Sequence, residues 1–258
     1  DDAAAARRAE ARIRDMLREA ERDADQTLLA EEYLPGAELV VEGLLSAGRL
    51  EVLALIDKPD PMEGPFFEET LLVTPSRHDP GVQEASVALA EAGTGALGLV
   101  TGPVHAEIRV DPDGSVKLLE VAARSIGGLC GRALSFGLVG ESLEVIVLRS
   151  ALGMPTLDTA PTRPAAGVLM MPIPASGVLT AVEGVEDVEA SAGIDAVTLT
   201  IPPGRRVTAL PEGDRYLGFV FAGGADPDSV EETLRVAGSS LSVIVDGEGM
   251  EKPVSPPD

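Results

Sequence analysis

The sequence contains no tryptophan, one cysteine and two histidines, and aromatic residues make up only 3% of its 258 positions. Cys130 cannot form a disulfide within the chain, which fits a reducing cytoplasmic compartment, and one thiolate cannot build a metal centre. His78 and His105 are too few for a multi-histidine zinc site, so oxygen ligands and hence Mg²⁺ or Mn²⁺ are the metals to expect. Basic residues are also scarce, 20 against 43 acidic ones, for a net charge of −23. That balance argues against nucleic acid or anionic lipid as a partner and favours cations, although acidity also serves simply to keep a surface soluble. Lysine occurs only at positions 58, 117 and 252. Long apolar runs are missing too: Leu169 to Ile173 and Leu217 to Ala222 fall far short of the roughly 20 residues that span a bilayer. There is no initiator methionine and no charged-then-apolar leader, so the expectation is a processed or trimmed chain, or part of a longer polypeptide.

What is present is a hydrophobic fraction of 45%, enough to bury a core in one large or two modest domains. Asp1 to Ala30, rich in Ala, Arg and Glu, predicts a solvated helix with Glu10 and Arg14 one turn apart. Pro35 and Gly36 break it, and Leu39 to Leu45 with Leu50 to Ile56 predict an antiparallel hairpin across Ser46 to Arg49. A loop from Asp57 leads to a strand over Glu69 to Thr74. Asp79 and Pro80 then cap and open a helix reaching Ala92, with Gly93 as its stop. Val104 to Val110 and Val116 to Val121 predict a second hairpin across Asp111-Pro112-Asp113-Gly114. A glycine-rich segment, Gly127 to Gly131, precedes a helix over Glu141 to Leu152.

Thr156 to Pro164 is the best candidate boundary. Beyond it, strands are expected at Gly167 to Met171, Ala196 to Ile201, Tyr216 to Ala222 and Leu241 to Val245, with a helix over Pro227 to Ala237. The expected domains are therefore 1–155 and 165–247, followed by a polar, proline-rich and disordered tail at 248–258. No internal repeat is present.

The sharpest chemical constellation is His105-Ala106-Glu107 on one strand with Glu120-x-x-x-Arg124 leaving the next. If Asp111 pairs with Gly114, Glu107 faces Leu118 and His105 faces Glu120, which puts His105, Glu107 and Glu120 on one side of the hairpin. A one-residue slip, such as a bulge at Gly114 causes, would send Glu120 to the other face. Two carboxylates so placed repel unless a divalent cation lies between them. The spacing alone leaves a second reading open, that both are solvated hairpin positions in a very acidic chain. Arg124 is either a surface ion-pair partner or a phosphate clamp, since a guanidinium can bind two oxygens at once. Gly127 and Gly128 let backbone N–H groups approach an anion.

These residues resemble the ATP-grasp superfamily of carboxylate–amine ligases. Glu31-Glu32-Tyr33-Leu34-Pro35-Gly36-Ala37-Glu38 is similar to the hinge of those enzymes, and the resemblance implies that Glu31, Tyr33 and Leu34 line the adenine while Glu38 takes the ribose hydroxyls. Glu107, Glu120 and Arg124 look like the two metal-binding acids and the arginine that follows them. The usual acid-x-Asn-x-Arg pattern carries Ala122 at the Asn position, a departure that removes one expected ligand. Lys58-Pro59 and Gly64-Pro65-Phe66-Phe67-Glu68-Glu69 resemble the L-amino acid ligase branch, where an acid lies near the substrate amino group, here Glu69 or else Glu68. The segment Gly167 to Val245 is similar in layout to that branch's small carboxy-terminal domain.

The resemblance implies an α+β fold: the carboxy-terminal subdomain of an ATP-grasp domain, an antiparallel sheet with flanking helices, plus a small α/β domain. It implies ATP and Mg²⁺ (or Mn²⁺) as cofactors and a small-molecule carboxylate and amine as partners. The implied reaction attacks the γ-phosphate to give an acyl phosphate that the amine displaces, with Arg124 on the phosphoryl group and His105 as a donor. A homodimer is one option for its assembly. The family's amino-terminal portion, with its glycine-rich loop and lysines, is not in the sequence, so the chain alone is expected to be inactive. Two rivals are a biotin carboxylase-like carboxylase and a non-catalytic ATP-grasp-derived binding module.

Overall fold

A computed structural model describes residues 3–61, 67–136, 140–154, 163–246 and 252–253. Residues 64–66 of the loop motif, most of the boundary at 156–164 and nearly all of the tail at 248–258 lie outside the described residues. The chain divides into two compact units, residues 1–34 and 35–258.

In the first unit, α1 (Ala3–Glu19) buries no residue, as a helix poor in apolar side chains should. Glu10 and Arg14 form the expected ion pair, 3.0 Å apart. The helix is shorter than the sequence suggested and stops well before Ala30. Glu21 adopts a left-handed φ of 55°, and the Asp23 carboxylate accepts from Asp25 N at 2.9 Å, a local turn that competes with helical pairing.

The second unit is α+β. Its main sheet has the order β5-β4-β1-β2-β3-β6-β10-β8, with all pairs antiparallel, formed by β1 (Ala37–Ser46), β2 (Arg49–Lys58), β3 (Leu71–Thr74), β4 (Gly102–Val110), β5 (Val116–Ala122), β6 (Ala165–Met171), β8 (Ile194–Leu199) and β10 (Gly218–Gly224). A smaller sheet, β12-β11-β7-β9, combines β7 (Gly177–Glu183), β9 (Arg206–Val207), β11 (Ser242–Asp246) and β12 (Lys252–Pro253). β1 and β2 join through Ala47 and Gly48, both left-handed (φ 51° and 80°), the backbone of a tight two-residue hairpin. Strands from both expected domains share one sheet, because β3 pairs with β6 over Leu71–Thr74.

Helix α2 (Pro80–Ala96) begins at Asp79 as expected, though the Asp79 side chain makes no capping bond. It runs through Gly93 rather than stopping there. Gly93 is a packing residue: a β-carbon on it would meet Leu118 Cδ2 at 2.8 Å and Val121 Cγ2 at 3.0 Å on β5. α2 covers Leu39, Val41, Leu45, Ala106 and Ile108 on one face of the sheet. On the other face α3 (Gly131–Phe136), which the sequence did not suggest, and α4 (Leu143–Ala151) pack over Val40, Ile56, Met170 and Phe221. α4 is capped by Ser142, whose hydroxyl accepts from Val145 N. The short α5 (Val185–Glu189) precedes β8, and α6 (Pro227–Ser240) buries Val230, Leu234 and Ala237 at helical spacing. Arg77 bridges Asp57 to Asp228 and Glu231, and Arg235 holds Asp60 at 2.7 Å, so ion pairs clasp α6 to the end of β2.

Two substitutions test this packing. Gly167 on β6 has Leu72 O and Val230 Cγ1 each 2.8 Å from where a β-carbon would sit, so Gly167→Ala should destabilise by about 1–3 kcal/mol. Gly95, near the end of α2, faces open space, and Gly95→Ala should stabilise by roughly 0.5–1 kcal/mol. Urea denaturation midpoints with unchanged m-values would check both.

Candidate functional site

Strand β1 alternates acidic and apolar positions on its inner face. Leu39 and Val41 point toward α2, while Glu38, Val40 and Glu42 point to the opposite side. Pairing places Lys58 of β2 beside Glu38, and Arg109, Glu107 and His105 of β4 beside Glu38, Val40 and Glu42. Directly paired residues share a face, so these charged groups converge.

Each has a partner. Lys58 Nζ donates to Glu38, to Glu69 and to Glu107, the last at 3.0 Å. Arg109 lies 3.2 Å from Glu38 and donates to Gly36 O. His105 Nδ1 meets Glu42 at 2.9 Å and Nε2 meets Glu107 at 3.4 Å. The other Glu42 oxygen accepts from Ile126 N at 2.9 Å, which ties the glycine-rich segment to the sheet. Glu42 is fully buried and Glu38 is only 4% exposed. Burial works against a charged His105, but the carboxylates of Glu107 and Glu42 outweigh it and raise its pKa to about 9. The hydrogen bond with His105, helped by Lys58 and opposed by burial, lowers Glu107 to about 2. Burial likewise opposes the Lys58 charge, and Glu69, Glu107 and Glu38 overcome it, holding the ammonium above the ordinary lysine range.

The hairpin register differs from the one expected. Gly114 N donates to Asp111 O and Asp111 N donates to Ser115 O, each at 2.9 Å, which is the slip that a bulge at left-handed Gly114 gives, so Val110 pairs with Val116, and a second bulge then leaves Leu119 unpaired. Glu107 consequently faces Glu120 directly, and His105 faces Ala122. Two one-residue shifts add to two, which returns Glu120 to the face it would have had with neither.

Lys58, Glu69, His105, Glu107, Arg124, Gly127 and Gly128 line one cleft of about 170 Å³, whose apolar wall includes Leu72, Met170, Tyr216 and Phe219. Gly128 is left-handed (φ 59°), and a β-carbon there would sit 3.2 Å from the Phe219 ring. Glu120 is largely exposed and pairs loosely with Arg124 at 4.0 Å. Among the described residues the carboxylates that converge most tightly are Glu38, Glu69 and Glu107, whose oxygens lie within 4.8 Å of one another. Glu68 is half-buried, and burial raises its carboxyl pKa. Glu31, Tyr33 and Leu34 belong to the first unit, in its non-helical end, with Glu31 and Tyr33 exposed.

Sequence reasoning missed the roles of Glu42, Arg109 and the three-way contact of Lys58. The signal was available: Glu38 and Glu42 are lone acids at even spacing within an otherwise apolar strand, so a common face has to receive both. The contributions of Met170, Tyr216 and Phe219 carried no local signal, because the sheet brings Met170 in from 40 positions beyond Cys130 and the other two from farther still.

Two family models match the chain: one described as "ATP-grasp domain" over residues 1–133, the other as "L-amino acid ligase C-terminal domain 2" over residues 169–246. Among curated proteins none matches. An L-amino acid ligase from Bacillus licheniformis is similar in structure, with TM-score 0.74 and 27% identity over 83% of this chain and 53% of that one. An N5-carboxyaminoimidazole ribonucleotide synthetase from Thermotoga maritima matches with TM-score 0.64 and 16% identity over 87% of this chain and 58% of that one. The biotin carboxylase domain of the Hydrogenobacter thermophilus 2-oxoglutarate carboxylase, solved with MgADP and bicarbonate, matches with TM-score 0.61 and 14% identity over 81% of this chain and 46% of that one. The chain spans about half the length of these structures.

The charge cluster makes metal-free stability depend on pH. A histidine raised from 6.5 to about 9 stabilises the fold fully below pH 6.5, and that contribution is lost as pH rises through 9. The melting temperature should therefore fall between pH 6.5 and 9.5. His105→Gln should show a flatter dependence by scanning calorimetry in EDTA.

Proposed function

Because the chain belongs to the ATP-grasp family, we propose that it serves an ATP- and Mg²⁺-dependent ligase that joins a carboxylate, an amino acid, to an amine through an acyl phosphate. The observation that carries this reading is the single cleft shared by Arg124, His105, Glu107 and Glu69 beneath an apolar wall. The L-amino acid ligase model over residues 169–246 supports the choice of branch.

The residues present fit a divalent ion. Glu107 and Glu120 stand opposite each other, offer oxygen donors only, and Glu107 is ionised throughout the neutral range. Mg²⁺ bound there would neutralise negative charge on nucleotide phosphates. The remaining work falls to the chain's own side chains. Arg124, half-exposed at the cleft mouth with Gly127 behind it, can bind phosphoryl or carboxylate oxygens. His105, clamped between Glu42 and Glu107, holds Glu107 in place and carries a proton at neutral pH. Glu69 offers a carboxylate to a substrate ammonium, and the apolar wall excludes water from the reacting end. In this reading Glu38 receives the nucleoside's ribose, with its carboxylate held in place by Lys58 and Arg109.

A carboxylase reading finds support in the biotin carboxylase-domain likeness, but that likeness concerns the fold alone. The two differ in what stimulates ATP use. With the complete gene product, Mg²⁺ and ATP, release of ADP and phosphate should appear only on adding L-amino acids. Release driven by bicarbonate instead would favour the carboxylase, and failure to bind nucleotide would favour a binding module. Glu120→Ala and Arg124→Ala should each lower amino-acid-dependent turnover by about 10²-fold or more while leaving the circular dichroism spectrum unchanged. Retained turnover in Glu120→Ala would remove that residue from the site.

A further inference from the structure

The cleft already contains a cation of its own. Lys58 is 3% exposed at the end of β2, and its ammonium touches carboxylates from three separate segments: Glu38 on β1, Glu69 ahead of β3 and Glu107 on β4. An ammonium has three N–H donors, and this arrangement engages an acceptor for each. The oxygens of the same three residues lie within 4.8 Å of one another, a spacing at which one positive ion reaches all three. Glu107 is thus claimed three times: its Oε1 meets both Lys58 and His105, and it faces Glu120 across the hairpin.

We propose that Lys58 is a positioning residue that acts as the internal counter-ion of this carboxylate cage and sets how tightly the cleft holds a divalent ion. The inference rests on the reading of Glu107 as a metal ligand. Without a metal, Lys58 keeps Glu38, Glu69 and Glu107 from repelling one another. Against a free divalent ion it competes for Glu107, so the chain binds Mg²⁺ or Mn²⁺ weakly until nucleotide phosphates bring further negative charge. Charge counting over the whole cluster, with His105 and its second partner Glu42 included, supports this. Glu38, Glu42, Glu69 and Glu107 against Lys58, His105 and Arg109 leave one negative charge, and removing Lys58 leaves two, which is the match for a divalent ion. A purely structural lysine would make the opposite difference, since its loss would loosen the cage and weaken metal binding.

The test uses MnCl₂ alone, with no nucleotide, and reads free Mn²⁺ by electron paramagnetic resonance. Lys58→Met should bind Mn²⁺ about 10-fold more tightly than the native chain, an effect within reach of one charge at contact distance. Adding Glu107→Gln to Lys58→Met should abolish the gain, and Lys58→Arg, which keeps the charge, should show none. Equal or weaker Mn²⁺ binding by folded Lys58→Met would overturn the proposal, as would an equal gain in Lys58→Arg. If Lys58→Met does not fold without metal, Mn²⁺ should restore its melting transition where NaCl at the same ionic strength does not. Failure to refold at saturating Mn²⁺ would also overturn it. The assay needs neither ATP nor amino acids, so a protein that turns over but shows no gain in Lys58→Met refutes this inference and leaves the ligase reading standing.

Discussion

The pairing of Glu38 with Lys58 and of Glu42 with His105 inside the sheet is the interaction on which the rest of the structure depends. Burying charge costs several kcal/mol per ion unless partners and further hydrogen bonds replace the lost water. Here each acid is satisfied twice, Glu38 by Lys58 and Arg109 and Glu42 by His105 and the Ile126 amide. The offset is incomplete, since Arg109 Nε is left without a partner. These pairs also pin the register of β1, β2 and β4. A slip of one residue would turn Glu38, Lys58 and Arg109 into the apolar layer beneath α2, where nothing could neutralise them. The charges that make the cleft chemically interesting therefore specify the sheet that holds it.

The second half of the unit is continuous with that arrangement. β3 pairs with β6, β6 pairs with β10, and through this run the sheet delivers Met170 and Phe219 to the cleft wall, with Tyr216 just ahead of β10. Cys130 fills the space behind them, 3.5 Å from the Met170 sulfur, and burial pushes its thiol pKa up to about 12, so it acts as packing. One wall of the cleft is thus ionic and comes from Lys58 of β2, His105 and Glu107 of β4 and Glu69 ahead of β3. The other is apolar and comes from β6 and β10.

The long strands, both hairpins, α2 and α6 were legible because each carries its own local signal. Examples are the apolar run of β1, the Asp-Pro-Asp-Gly turn, and Pro227 after Asp226 at the start of α6. What was not legible depended on tertiary context. Gly93 reads as a helix stop, yet Leu118 and Val121 packed on its bare α-carbon reward carrying the helix past it. β7 lacks a clean pattern because it belongs to a small sheet in which Leu179 is its one fully buried position. His105, Glu107 and Arg124 could be named from the sequence, and the structure sets them in one cleft. That Glu38 and Glu42 share a face was readable from their spacing, but that they hold Lys58 and His105 was not, since it requires knowing which strands flank β1.

The hairpin between β4 and β5 shows how little stands between a site and none. Closing the turn on Ser115 moves the pairing by one residue and would by itself point Glu120 into the layer under α2, beside Leu118. The Leu119 bulge moves it by one more and turns Glu120 back toward Glu107. The same two steps set Ala122 against His105. At that position the family resemblance calls for an amide, and a methyl group there donates and accepts nothing, so the side chains that His105 meets are Glu42 and Glu107. In the reading proposed above, a metal at this end of the hairpin would find its protein ligands in Glu107 and Glu120, with water taking the place an amide at position 122 would fill.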